Sequence, residues 1–209
     1  VLNGRLGYLE ACVSTLAAAP ILQGILYVYL VSLIFSTAAL PVTLYNQFVI
    51  EERYAFNRMN WRLFLLDRLK GLLLYLLLMT PLLAALFALI RRSSLWWLWG
   101  FLLFAVFQLV MIVLFPRVIA PLFNKFTPLQ EGSLKTKLRS LAEHLGFGIS
   151  GIYVMDGSRR SRHSNAYFSG LGRLRRIVLF DTLIQRLEED EVAGVLAHEI
   201  AHQKLGHIV

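Results

Sequence analysis

Residues 93–116 read SSLWWLWGFLLFAVFQLVMIVLFP, a run of 24 residues without a charged side chain. About 20 apolar residues in a helix are enough to cross the hydrocarbon core of a bilayer. Trp96, Trp97 and Trp99 lie near the start of the run, and tryptophan is typical of the boundary between lipid and water. This stretch therefore predicts a membrane-spanning helix over about 94–116 and a membrane protein as the fold class.

Two further uncharged runs predict two more spans. Pro20 and Pro41 bracket the first, over about 20–41. Proline suits the start of a helix, where its missing N–H costs no hydrogen bond. The second covers about 72–90, and Pro81 is expected to kink it.

The composition of the whole chain agrees with a membrane protein. Hydrophobic residues make up 57% of the 209 residues and charged residues only 16%, whereas soluble domains are about one quarter charged. Cys12 is the only cysteine in the sequence, which excludes an internal disulfide scaffold. We attribute the net charge of +8 to membrane topology and contact with anionic lipid, and expect a lipid bilayer but no nucleic acid as a partner.

The distribution of basic residues predicts the orientation of the spans. Five lysines and arginines lie in residues 51–71, between the first two spans, and further ones follow residue 116. Only Arg91 and Arg92 lie between the second and third spans. Because basic residues are retained on the cytoplasmic side, residues 51–71 and everything after the third span are predicted to face the cytosol.

From residue 117 onwards the pattern becomes that of a mixed α and β region. Leucines recur at helical spacing over 134–145, and Gly146 is a plausible stop. Residues 149–157 predict a strand, and residues 165–180 predict a hairpin with a glycine-rich turn. Residues 188–207 predict a helix with acidic residues in its first turns, where the helix dipole favours them.

That last helix carries an H-E-x-x-H motif, formed by His198, Glu199 and His202. Each helical residue advances by about 100°, so the three side chains share one side of the helix. Two imidazoles can bind Zn²⁺, while the glutamate acts as general base on a zinc-bound water. The same carboxyl group can then protonate the leaving amine. The motif predicts a zinc hydrolase with Glu199 as its catalytic residue.

A third protein ligand is required for a catalytic zinc site. Asp156, Asp181 and His163 are candidates, but nothing in the spacing places them near the zinc helix. His207 lies roughly 140° around the helix from the second histidine, which favours a surface or supporting role over ligation. We therefore expect the third ligand downstream of Val209.

A second motif, DGSRRSRHSNAYFSG, occupies residues 156–170. Asn165, Ala166 and Tyr167 have strand propensity, and an unpaired strand beside a zinc site can bind an extended peptide by β-augmentation. We therefore predict that these three residues bind substrate. The alternative is an ordinary hairpin after an exposed basic turn, whose arginines are solvated or contact an acidic group.

Four blocks of sequence together resemble the integral-membrane zinc metalloproteases called CAAX prenyl proteases. They are PRVIAPLFNKFTPLQEGSL, VMDGSRRSRHSNAYFSG, RRIVLFDTLI and VLAHEIAHQKLGH. The resemblance covers almost the whole chain, and the wording of the loops suggests a bacterial relative. It implies a mainly α, multi-span membrane protein with a cytosol-facing α+β region of the zincin, thermolysin-like type. Residues 1–116 would be the transmembrane region and 117–209 the first part of the protease domain, truncated relative to the family at both ends.

The resemblance also implies a set of functional residues. His198 and His202 match the zinc ligands, Glu199 matches the catalytic base, and Asn165 and Ala166 match the strand that lines the substrate. The third ligand of the family is a glutamate well after the zinc helix. Family members enclose an intramembrane chamber with seven helices, and eukaryotic members remove the last three residues of prenylated C-a-a-X proteins. A peptide or lipidated protein is therefore the expected substrate. The expected location is the bacterial inner membrane, or the endoplasmic reticulum membrane in a eukaryote.

Two other functions fit the same residues. The first is a non-catalytic membrane scaffold or chaperone that keeps a degenerate zinc site, which the lack of an evident third ligand motivates. The second is a membrane quality-control protease that shares the H-E-x-x-H motif. Such a protease is expected to lack the longer RHSNAYFSG and RIVLFDTLI blocks.

Overall fold

The chain forms two structural units in a computed structural model that describes residues 2–170 and 175–205. Each unit is made of two segments. The first unit comprises Val1–Ile50 and Asn60–Leu109, and the second comprises Glu51–Met59 and Val110–Val209.

Helices dominate the described part of the chain, and a small sheet accompanies them. In chain order the helices are α1 (Leu2–Leu16), α2 (Pro20–Tyr45), α3 (Glu51–Arg53), α4 (Trp61–Arg92), α5 (Trp96–Leu114), α6 (Ala120–Phe123), α7 (Ser133–His144), α8 (Asp181–Arg186) and α9 (Glu189–Lys204). Short π-helical segments follow α2 and α5, at Asn46–Ile50 and Phe115–Ile119. The strands are β1 (Phe126–Pro128), β2 (Gly151–Met155), β3 (Ala166–Ser169) and β4 (Arg176–Phe180).

Within the described residues, three continuous helical stretches are long and apolar enough to cross a membrane. They are Pro20–Arg53, Trp61–Arg92 and Trp96–Phe123. The prediction of a mainly α, multi-span protein with a small α+β region is confirmed.

The ends of these helices differ from those that the uncharged runs predict. Pro41 lies inside α2 and does not end it, because the apolar run continues on both sides of the one lost hydrogen bond. α4 begins at Trp61 rather than near residue 72, because the side-chain oxygen of Asn60 accepts a hydrogen bond from the Leu63 N–H at 2.8 Å and caps the helix there. Charged side chains in the first turns of α4 therefore do not delay its start.

Hydrogen bonds between side chains join α2 to α4 in the first unit. The Tyr29 hydroxyl lies 2.6 Å from Thr80 Oγ1, and the Ser32 hydroxyl lies 2.9 Å from the Tyr75 hydroxyl. Lipid offers no hydrogen-bond partner, so polar side chains in apolar helices satisfy each other across the helix pair.

The sheet of the second unit has the strand order β1-β2-β4-β3. β2 and β4 are parallel, and the two outer strands run antiparallel to their neighbours. The predicted strand over 149–157 appears as β2, and the predicted hairpin appears as the adjacent pair β3 and β4. Its turn, residues 171–174, lies outside the described residues.

The core of the second unit lies between the sheet and two helices, α7 and α9. Leu138 on α7 and Leu179 on β4 are fully buried, as is Leu196 on α9. α7 ends where the sequence predicts, because Gly146 adopts a positive φ of 62° just beyond it and its N–H bonds back to the Glu143 carbonyl.

Candidate metal centre and substrate strand

The burial pattern of α9 orients the H-E-x-x-H side chains. Val192, Leu196 and Ile200 recur every four residues and are buried in the core. His198 is offset by about 200° from Leu196 and lies on the opposite, exposed side of the helix. The same amphipathic pattern that docks α9 therefore presents its histidines outward.

The two histidines of the motif face each other. His198 Nε2 lies 2.9 Å from His202 Nε2, and the ring centroids are 4.4 Å apart with perpendicular planes. Glu199 follows His198 in the sequence, and its side chain is half-buried. Two imidazole nitrogens on a tetrahedral zinc ion, with bonds of about 2.0–2.1 Å, lie about 3.3 Å apart. Small rotations of the rings give that separation, so this donor pair fits zinc.

The candidates for a third ligand have other roles in the structure. Asp181 accepts hydrogen bonds from the backbone and hydroxyl of Ser158, and Asp156 accepts one from the Lys125 N–H at 2.6 Å. His163 is paired with a carboxylate of the second unit. Among the described residues, no group of three His, Cys, Asp or Glu side chains could hold a metal ion. His207 lies outside the described residues, and a third ligand beyond Val209 stays a prediction.

β3 lies at the end of the sheet, and α9 packs against it. The Phe180 N–H donates to the Asn165 carbonyl at 3.0 Å, so these two residues form a hydrogen-bonded pair. By alternation, Tyr167 also points its backbone groups towards β4, whereas those of Ala166 and Phe168 point away from it. An outer edge of this kind can accept an extended peptide.

The three predicted substrate residues differ in surroundings. Ala166 is buried, with only 4% of its surface exposed, and its N–H donates to the side-chain oxygen of exposed Asn165 at 2.8 Å. Tyr167 lies on the other face of the sheet, edge-on to Phe180, and donates its hydroxyl to the Met155 sulfur at 3.9 Å. Burial raises the pKa of Tyr167, and Arg176 opposes that rise. The Asn165 side chain therefore occupies the outward-facing N–H of Ala166, and Tyr167 packs on one face of the sheet.

The basic cluster before β3 is partly structural. The Arg160 guanidinium donates to Asn124 Oδ1 and to the Phe123 carbonyl, both at 2.6 Å. The Arg159 guanidinium lies 3.5 Å from the Asp156 carboxylate. These contacts hold the loop that leads into β3. Sequence reasoning did not single out Glu51 and Phe56, which both contact His163 in this loop. Glu51 lies 112 residues before His163 in the chain.

Two family models match this chain. The model of the CAAX prenyl protease N-terminal region, described as five membrane helices, matches residues 1–125, and that of peptidase family M48 matches residues 128–209.

Curated relatives and a solved structure agree with these matches. A CAAX prenyl protease 1 homolog of Oryza sativa subsp. japonica is 49% identical over 81% of this chain and 40% of its own length. CAAX prenyl protease 1 of Saccharomyces cerevisiae is 40% identical over 100% of this chain and 46% of its own length. The crystal structure of S. mikatae Ste24p has a TM-score of 0.90 and 35% identity, over 99% of this chain and 50% of that one.

These comparisons bear on the sequence predictions in two ways. The curated relatives named here are eukaryotic, so the prediction of a bacterial relative in an inner membrane is not borne out. The chain spans less than half the length of these curated relatives.

The N-terminal model covers more than half of the chain, and the two models follow each other along it. The chain therefore belongs to the CAAX prenyl protease family, peptidase family M48, as an integral-membrane member.

Proposed function

We propose that the protein to which this chain belongs is a zinc-dependent endopeptidase of a membrane. The observation that carries the proposal is the pair of facing imidazoles on α9, 2.9 Å apart, on a helix that packs against an outer strand of the sheet. This arrangement combines a donor pair for a metal with a backbone edge for a peptide. The names of the relatives, CAAX prenyl protease 1, support a prenylated C-a-a-X-type protein as the substrate class.

The residues of this chain divide the chemistry of peptide hydrolysis between them. His198 and His202 would hold the zinc ion through Nε2, with a third ligand supplied downstream of Val209. A bound zinc ion would supply Lewis acidity for attack of water on the peptide carbonyl. Glu199 would accept the proton of the attacking water and pass it to the leaving amine nitrogen.

The outer edge of β3 would bind the substrate in an extended conformation. The carbonyl and N–H groups of Ala166 and Phe168 point away from β4 and can pair with a peptide backbone. The side-chain oxygen of Asn165 already accepts from the Ala166 N–H, so a peptide carbonyl would replace it there. This recognition needs no particular side chain and suits a short, extended C-terminal peptide.

The test is cleavage by the full-length protein, purified in detergent, of a farnesylated C-a-a-X peptide and of the same peptide without lipid. We expect cleavage of the farnesylated peptide, loss of activity with a chelator, and recovery on addition of zinc. Equal cleavage of both peptides would instead favour a quality-control protease. A zinc-loaded protein that cleaves neither peptide would contradict the proposal and favour a scaffold.

A further inference from the structure

A connecting segment lies against the loop that precedes the substrate strand. We call Glu51–Met59 the linker, since it precedes α4, and it belongs to the second unit. The Arg58 N–H donates to the Arg160 carbonyl at 3.0 Å, and the Arg162 N–H donates to the Phe56 carbonyl at 2.9 Å. These are the bonds of a short antiparallel pairing. The linker thus holds the loop through its backbone.

The side chain of His163 is held by the same linker. Its ring stacks on Phe56, with centroids 4.2 Å apart and planes 18° from parallel. Its Nε2 atom lies 3.1 Å from Glu51 Oε2. The side chains of His163 and Glu51 are 53% and 33% exposed. Stacking fixes the plane of the imidazole, and the carboxylate fixes its rotation within that plane.

The backbone of His163 is held by a different element, α8. The hydroxyl of Thr182, which is 5% exposed, donates to the His163 carbonyl at 2.8 Å. Thr182 lies on α8, directly after β4. His163 therefore connects the linker, through its ring, to the end of β4, through its carbonyl.

His163 lies just before β3 in the chain. Only Ser164 separates it from Asn165, whose carbonyl accepts the first hydrogen bond from β4. A displaced His163 would shift or fray this end of β3. The outward backbone groups of Ala166 would then move relative to the histidines of α9.

We propose that His163, held by Glu51 and Phe56, is a positioning residue that sets the substrate edge of β3. The inference rests on the proposed peptidase function and names a determinant of substrate binding that is remote from the zinc motif. His163 would not touch the reacting atoms. Its loss would therefore weaken peptide binding and leave the hydrolytic step unchanged.

The experiment is steady-state kinetics of the full-length protein on the farnesylated peptide. We expect Glu51→Ala to raise KM about three- to fivefold with kcat within about twofold, the scale of one hydrogen bond. Phe56→Leu should raise KM similarly, and Glu51→Asp should recover part of the loss. Glu143→Ala is the matched control, because it removes an exposed carboxylate of α7 and should change neither constant.

The outcomes separate this inference from the proposed function. An unchanged KM in Glu51→Ala, or a fall in kcat alone, would overturn the positioning role while the peptidase proposal stands. A wild-type protein that cleaves nothing would contradict the peptidase proposal. Hydrogen exchange of residues 166–169 then decides the positioning role. Faster exchange in Glu51→Ala than in Glu143→Ala supports it, and equal exchange overturns it.

Discussion

At the scale of single residues, the linker contains a strained position. Ala55 has a φ of 57°, in the left-handed region that favours glycine. It follows the turn of α3, and the next residue, Phe56, donates its N–H to the Glu51 carbonyl at 2.8 Å. The hydrogen bonds are those of a Schellman helix end, with alanine where glycine is usual. Ala55 directly precedes Phe56 and lies four residues after Glu51, the two residues that contact the His163 ring.

We predict that Ala55→Gly stabilises the protein by about 0.5–1 kcal/mol, because glycine adopts a left-handed φ without a steric penalty. Thermal unfolding of the detergent-solubilised protein measures the change. Ala193→Gly is the control, since it places glycine inside α9 and should destabilise by about 1 kcal/mol. A lower melting temperature for Ala55→Gly would show that the φ at this position is not strained.

At this scale the sequence predicts that the two histidines of α9 share one side of the helix, and it does not predict the contacts of the loop before β3. The spacing of His198 and His202 predicts their shared side, because a helix fixes the geometry of residues four apart. The partner of His163 is Glu51, 112 residues away. No local pattern relates such positions, and only folding brings them together.

At the scale of elements, α9 connects the core of the second unit to the candidate metal centre. Its buried residues recur at helical spacing, so their packing fixes the direction of the histidines. Its first turn is also held to α7, through Lys137 and Asp190 at 2.7 Å. Substitutions that disturb the packing of α9 should therefore also displace the two histidines of the candidate metal centre.

We predict that Leu196→Ala destabilises the protein by about 2–5 kcal/mol, because it leaves a cavity in the core. Zinc affinity should fall as well, since the ring nitrogens are no longer held at one separation. Denaturant unfolding and zinc titration measure the two effects. Leu205→Ala, at a leucine that is 68% exposed at the end of α9, should change neither, and equal effects of the two substitutions would refute the prediction.

Sequence patterns predict some helices and strands of this chain and miss others. Apolar spacing predicts α7, and short apolar runs with strand propensity predict β2 and β4. β1 is missed because it has only three residues, one of them Pro128. α4 starts earlier than its uncharged run because the Asn60 cap, and not hydropathy, sets its start.

At the scale of the whole molecule, the proposed function requires a defined orientation in the membrane. One candidate span, Trp96–Phe123, separates the connection around Ser94 from the residues that follow it. The basic residues predict a cytosolic location for the latter. The candidate metal centre and the linker would then lie on the cytosolic side, where the proposed function places its substrate.

Cysteine labelling tests this orientation. In a Cys12→Ser background, we predict that Glu143→Cys reacts with a membrane-impermeant maleimide in sealed microsomes, whose outer face is cytosolic. Ser94→Cys is the control, and should react only after detergent opens the vesicles. Both sites are exposed in the structure. The reverse pattern of labelling would invert the predicted topology.

The proposed function depends most on Glu199, which would perform acid–base chemistry beside a zinc ion held by His198 and His202. The most direct measurement is the zinc content and turnover of full-length Glu199→Gln on the farnesylated peptide. We predict zinc content equal to that of the wild type and a fall in kcat of at least about a hundredfold, the scale of lost general acid–base catalysis. A zinc-loaded Glu199→Gln protein with wild-type turnover would contradict it.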